Sequence, residues 1–135
     1  MILIDDLERL EMEKIFKEKQ VLLALVFGSV ARGDNSTISD IDIGLFFSPN
    51  TTKKERFDNI LIISSKIQRI LKKNEIDIVA INDAPSRLKF KIMTEGKIIY
   101  CEDMELFYNL KEKAMLEYFD FQYVEQQIIK DYLAE

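Results

Sequence analysis

Apolar residues along this chain switch between two periodicities, and the switches divide it into elements. Leu3, Leu7, Leu10, Ile15 and Phe16 recur at roughly helical spacing through a charged segment, which predicts a first amphipathic helix ending near Lys19. Val21 to Phe27 is an unbroken apolar run, the pattern of a strand buried on both faces, and it stops at Gly28. The stretch from Gly28 to Ser39 is polar. Ile41 to Phe47 reads as a second strand, closed by the turn-forming Ser48-Pro49-Asn50. Thr52-Lys53-Lys54-Glu55 has the form of a capping box, and Phe57, Ile60, Leu61, Ser64, Ile67 and Leu71 mark one face of the helix it would start. Lys72 and Lys73 suit the negative end of that helix, and Asn74 suits a left-handed closing residue. Ile76 to Ile81 predicts a third strand, Pro85 to Glu95 a short helix ended by Gly96, Lys97 to Cys101 a fourth strand, and the rest from about Asp103 a long helix. The class is therefore α/β or α+β, a small mixed β-sheet of about four strands covered by helices.

Composition narrows the chemistry more than the fold. At 135 residues with 47% hydrophobic content, the chain is expected to form one domain over residues 1–135 that needs no disulfide or metal to fold. Its 24 acids against 19 bases give a net charge of -5, which disfavours a nucleic acid partner held by phosphate neutralisation. There is no histidine, so histidine bases, Ser-His-Asp nucleophiles and His-containing zinc sites are excluded, and the single cysteine, Cys101, excludes disulfide frameworks. The longest apolar run falls far short of the roughly 20 residues of a membrane span, and the acidic N-terminus lacks a signal peptide's basic start, so a cytoplasmic location is expected. Carboxylates, hydroxyls and cations remain.

These concentrate in Gly28-Ser29-Val30-Ala31-Arg32-Gly33, in Ser39-Asp40-Ile41-Asp42, and at Asp77 within Glu75-Ile76-Asp77-Ile78-Val79. Residues two apart in a strand share a side, so Asp40 and Asp42 present their carboxylates together while Ile41 points into the core. If the strand carrying Asp77 is a neighbour, three carboxylates converge, and such a cluster must bind cations or protonate. Oxygen-only ligands favour a hard ion such as Mg²⁺, which commonly shares its coordination sphere with substrate phosphates. Gly28-Ser29, directly after a buried strand, lets a phosphate approach the backbone, and Arg32 can either neutralise a triphosphate or pair with a surface acid.

Gly-Ser, ten residues, Asp-x-Asp and a later strand-borne Asp resembles the nucleotidyltransferase signature of the DNA polymerase β-like superfamily. The string GSVARGDNSTISDID is similar to its minimal nucleotidyltransferase (MNT) branch, and Glu112 to Phe121 resembles the C-terminal helix of MNT antitoxins paired with HEPN toxins. The resemblance implies that Gly28 and Ser29 hold a nucleoside triphosphate, that Asp40 and Asp42 bind one Mg²⁺, and that Asp42 and Asp77 bind a second beside the attacking hydroxyl. It further implies AMP transfer from ATP to a tyrosine of a cognate HEPN ribonuclease toxin, with this chain as the antitoxin and the partner supporting the acceptor. Two other readings share these residues: a nucleotidyltransferase for a small molecule such as an aminoglycoside, and an antitoxin that neutralises by masking alone.

The last helix adds a hint of a protein partner. At 100° per residue, Phe107, Leu110, Ala114, Tyr118, Phe121, Ile128 and Tyr132 form one stripe, expected to cover the chain's own sheet. Tyr108, Met115, Phe119 and Tyr123, with Leu116 beside them, form a second stripe on another face, expected to bind the partner.

Overall fold

The computed structural model describes residues 4–28, 41–73 and 75–134. Helix α1 (Asp6–Glu18) leads into strand β1 (Val21–Phe27), followed by β2 (Ile41–Phe47), helix α2 (Lys53–Leu71) and β3 (Ile76–Ala80). A 3₁₀ turn (Ile81–Asp83), helix α3 (Ser86–Glu95), β4 (Lys97–Cys101) and helix α4 (Met104–Leu133) complete the order. The strands form one mixed sheet in the order β3-β2-β1-β4, with β1 antiparallel to both β2 and β4, and β2 parallel to β3.

The sheet's two faces carry separate cores. Ile41, Ile43, Leu45 and Phe47 of β2 point to one face, where Met12, Ile15 and Phe16 of α1 and Ile63 and Ile67 of α2 cover them. Leu23, Leu25 and Phe27 of β1 point to the other, under Ile92 and Met93 of α3 and Phe107 and Ala114 of α4. A strand covered on both sides must be apolar throughout, and β1, whose Leu22 alone is not fully buried, is so. Gly44 of β2 lies on the second face, where a Cβ would come within 2.9 Å of Ile92 Cγ2, so the missing side chain lets α3 seat against the sheet.

The expected capping box forms at Thr52 with Glu55, and a second, at Asp5 with Glu8, starts α1. The phases of the first two helices differ from the sequence expectation. Leu7 and Leu10 of α1, and Phe57 and Leu61 of α2, are exposed. On α2 the inward row is Arg56, Ile60, Ile63, Ile67 and Ile70, spaced 4, 3, 4, 3. Arg56 heads this row and is tied down: it donates to both carboxylate oxygens of Asp83 at 2.8 and 2.7 Å and to the Thr51 carbonyl at 2.6 Å. That tether accompanies the rotation of α2 that buries Ile63 and Ile67, and nothing in the local periodicity reveals it. The left-handed residue closing α2 is Lys72 (φ 55°), while Asn74 lies outside the described residues. The third strand ends one residue early, at Ala80, because Asn82 takes over the pairing. Its side chain accepts from the Phe47 N–H at 2.9 Å and donates to the Phe47 carbonyl at 3.0 Å. Pro85 is the cap of α3 rather than its first residue.

Candidate active site

The described part of the site is assembled by strand register. β2 and β3 run parallel with Asp42 directly opposite Asp77, and on its other side Asp42 pairs with Phe27, the last residue of β1. Adjacent strands lie about 4.8 Å apart, so the two carboxylates leave the same face as close neighbours. Ile41 and Ile76, one position earlier on the same strands, are buried in the opposite core and hold the register. Asp42 is half-buried and Asp77 exposed, so the pair opens to solvent at the edge of the sheet.

Gly28 completes the corner. It follows β1, is buried, and has φ +79°, a conformation that favours glycine. A Cβ there would overlap Asp42 Oδ2. The bare backbone therefore leaves room for that carboxylate, and sequence reasoning missed this second use of Gly28, since it depends on a contact between residues fourteen apart. Gly44 was missed as well, though an isolated glycine inside an apolar strand was the available signal.

Ser29, Arg32 and Asp40 lie outside the described residues. Among the described residues no three acidic, histidine or cysteine side chains are grouped to hold a metal, since Asp42 and Asp77 supply two. Two oxygen-donor side chains in register beside a side-chain-free backbone turn suit a hard divalent cation and a phosphate ester. Cys101 sits at the other end of the sheet, opposite Leu23, and burial pushes its thiol pKa up, which makes it a poor nucleophile. A cavity of about 190 Å³, lined by Phe46, Met93, Leu110 and Ala114 among others, shares the carboxylates' sheet face. Phe46 is four residues along β2 from Asp42, roughly 13 Å away, so this cavity does not belong to the carboxylate corner.

Of the second stripe on α4, Tyr108, Phe119 and Tyr123 are exposed and Met115 is half-buried. Of the first, Phe107 and Ala114 are buried, and Tyr118 stacks on Phe90 with ring centroids 4.2 Å apart. Phe121, Ile128 and Tyr132 are exposed, against the expectation that they cover the sheet. A 30-residue helix is about 45 Å long, whereas a strand of seven spans about half that, so the distal part of α4 runs past the body. No helix among the described residues is long and apolar enough to cross a membrane.

Solved structures share this architecture. A chain from a toxin–antitoxin complex with AMP-PNP superposes with a TM-score of 0.73 and 22% identity, over 93% of this chain and 98% of its own. One from a MntA–HepT toxin–antitoxin structure matches with a TM-score of 0.69 and 21% identity, over 96% of this chain and 99% of its own. A third, from a tri-AMPylated Shewanella oneidensis HEPN toxin in complex with MNT antitoxin, has a TM-score of 0.68 and 21% identity, over 94% of this chain and 97% of its own. No protein of curated function matches the sequence. Residues 11–105, which include Gly28, Asp42 and Asp77, match the profile of the polymerase beta nucleotidyltransferase family, and the chain belongs to that family.

Proposed function

We propose that this chain transfers AMP from ATP to a tyrosine hydroxyl of a HEPN toxin and thereby acts as its antitoxin. The observation that carries the reading is Asp42 in register with Asp77, with Gly28 leaving space against Asp42. The fold likeness to chains from toxin–antitoxin complexes, one with AMP-PNP and one with an AMPylated HEPN toxin, supports the choice of nucleotide and partner.

Asp42 and Asp77, with Asp40 beside them in sequence, would hold two Mg²⁺ ions. Bound divalent ions supply charge neutralisation for the triphosphate and acidify an attacking hydroxyl. Gly28 and Ser29 receive the triphosphate at the end of β1, with Arg32 as a further cation. The acceptor oxygen attacks the α-phosphorus, its new bond forming as the bond to pyrophosphate breaks. The hydroxyl proton leaves to solvent beside the exposed Asp77. The described residues of the corner form no enclosing pocket for an acceptor, and the partner presents its tyrosine there, docked on Tyr108, Met115, Phe119 and Tyr123. The added phosphate places a bulky anion on the toxin, which repels RNA by charge as well as size.

Intact-mass spectrometry of the partner incubated with this protein, ATP and Mg²⁺ tests the reading. AMP-sized increments that vanish with Asp42→Asn are expected. An unmodified but neutralised partner overturns it in favour of masking.

A further inference from the structure

Helices α3 and α4 close over the end of β2 away from the carboxylates. Phe46, half-buried, faces the same way as Asp42 and Gly44, and Ile81 follows β3 on that side of the sheet. Lys89 and Met93 lie one turn apart on α3, and Leu110, Lys113, Ala114 and Glu117 form one face of α4. Together these residues line the cavity of about 190 Å³. Ile81, Met93 and Ala114 are buried, whereas Lys113 is exposed and Lys89 and Glu117 are half-buried. An apolar interior therefore opens on a mouth that carries two ammonium groups and one carboxylate.

These charges are not spent on one another. Among the described residues none of the three forms an ion pair, and Lys113 precedes Glu117, the weaker order for a pair four apart on a helix. Asp83, whose charge Lys89 feels, is already held by two hydrogen bonds from Arg56. Asn82, which also lines the cavity, adds a fixed donor. Its amide is clamped by both backbone groups of Phe47, and only one of its two N–H bonds is used there.

We propose that this cavity binds a free α-amino acid with a branched aliphatic side chain such as L-leucine. The side chain lies against Phe46, Met93 and Leu110, the carboxylate at Lys89, Lys113 and the Asn82 amide, and the ammonium at Glu117.

Size and charge select this ligand. A cavity of about 150 Å³ takes up benzene, so the volume here admits an apolar group of about four to six carbons with its head group at the mouth. An apolar acid alone would meet Glu117 with like charge, and an apolar amine alone would meet two lysines, so only a zwitterion answers both signs. A peptide end carries one of the two charges and is disfavoured on the same ground. Burial of the side chain supplies affinity, and the few polar groups at the mouth supply selectivity.

Calorimetric titration of the full chain with L-leucine tests the proposal without nucleotide or partner, so its failure is distinct from failure of the transfer reading. For so small a ligand a Kd of about 0.1–1 mM is expected, with a raised Tm at saturation. Glycine should not bind, and 4-methylpentanoate and 3-methylbutylamine, which each lack one charge, should bind at least about tenfold more weakly. Ala114→Leu should fill the cavity and abolish binding. Glu117→Gln, on the half-buried rim and with unchanged circular dichroism, should weaken L-leucine but strengthen 4-methylpentanoate, a reversal that mere loss of structure cannot give. No binding of L-leucine up to about 10 mM, binding of the acid or the amine as tightly as the amino acid, or affinity unchanged in both Ala114→Leu and Glu117→Gln overturns the proposal.

Discussion

Substituting Gly28 by alanine separates the site's geometry from its charge. The variant keeps every carboxylate, so electrostatics alone would leave it functional. Two costs follow from the backbone. An L-residue at φ +79° costs about 1–2 kcal/mol, and moving the Asp42 side chain away from the new Cβ adds about 0.5–1.5 kcal/mol of rotamer strain. The loss of about 1.5–3.5 kcal/mol should lower Tm by roughly 5–14 °C in a domain of this size. Asp42 is the residue displaced, so affinity for ATP with Mg²⁺ should fall at least tenfold, and transfer by on the order of 100-fold for a shift of about 1 Å. Gly44→Ala is the control on the neighbouring strand. Its Cβ meets Ile92 and Ile81 rather than Asp42, and overpacking there costs about 1–3 kcal/mol. Melting curves and calorimetric titration with ATP, run on both variants well below their Tm, give the comparison. Both should be destabilised, and Gly28→Ala alone should lose nucleotide affinity. Normal ATP affinity in Gly28→Ala, or equal loss in Gly44→Ala, refutes the reasoning.

Asp77→Asn should abolish transfer while leaving Tm unchanged or slightly raised, because two carboxylates about 5 Å apart repel by roughly 1–3 kcal/mol at surface-like dielectrics. A melting scan beside a labelled-ATP transfer assay checks both halves. The Arg56–Asp83 bridge makes a pH-dependent contribution. The hydrogen bonds from the Arg56 guanidinium hold the Asp83 carboxyl below its ordinary value of 3.8, so the bridge stabilises fully above that pH and its contribution is lost as pH falls through the lowered value. Arg56→Ala should therefore cost about 1–2 kcal/mol in urea unfolding at pH 7, and the gap from the parent should narrow at acid pH to what the non-titrating bond to the Thr51 carbonyl contributes.

Most elements were legible in the sequence because their signals are local. The continuous run Val21 to Phe27 cannot be half-solvated, and Thr52 with Glu55 sets a helix start within four residues, whereas the equally local box of Asp5 with Glu8 was overlooked. Asp77 stood out as a charge in an apolar strand, and parallel pairing with β2 puts it beside Asp42. What escaped depends on distant contacts. Helical periodicity identifies α2 but not which of its two apolar rows faces inward, which depends on packing of Ile63 and Ile67 against β2 and α1 and on the bridge from Arg56 to Asp83, twenty-seven residues away. The same limit hid the bare end of α4. A stripe that begins at the buried Phe107 continues unchanged past the point where the body stops, so its spacing carries no mark of where burial ends.

The central claim is that the corner formed by Gly28, Asp42 and Asp77 is a nucleotide site that works through a divalent cation. Calorimetric titration of the isolated protein with ATP, in Mg²⁺ and then in EDTA, tests it most directly. Without a divalent cation the triphosphate meets the like charge of Asp42 and Asp77, so binding should be measurable in Mg²⁺, absent in EDTA, and lost in Asp42→Asn under both conditions. Equal affinity with and without the cation, or unchanged binding by Asp42→Asn, would contradict the account.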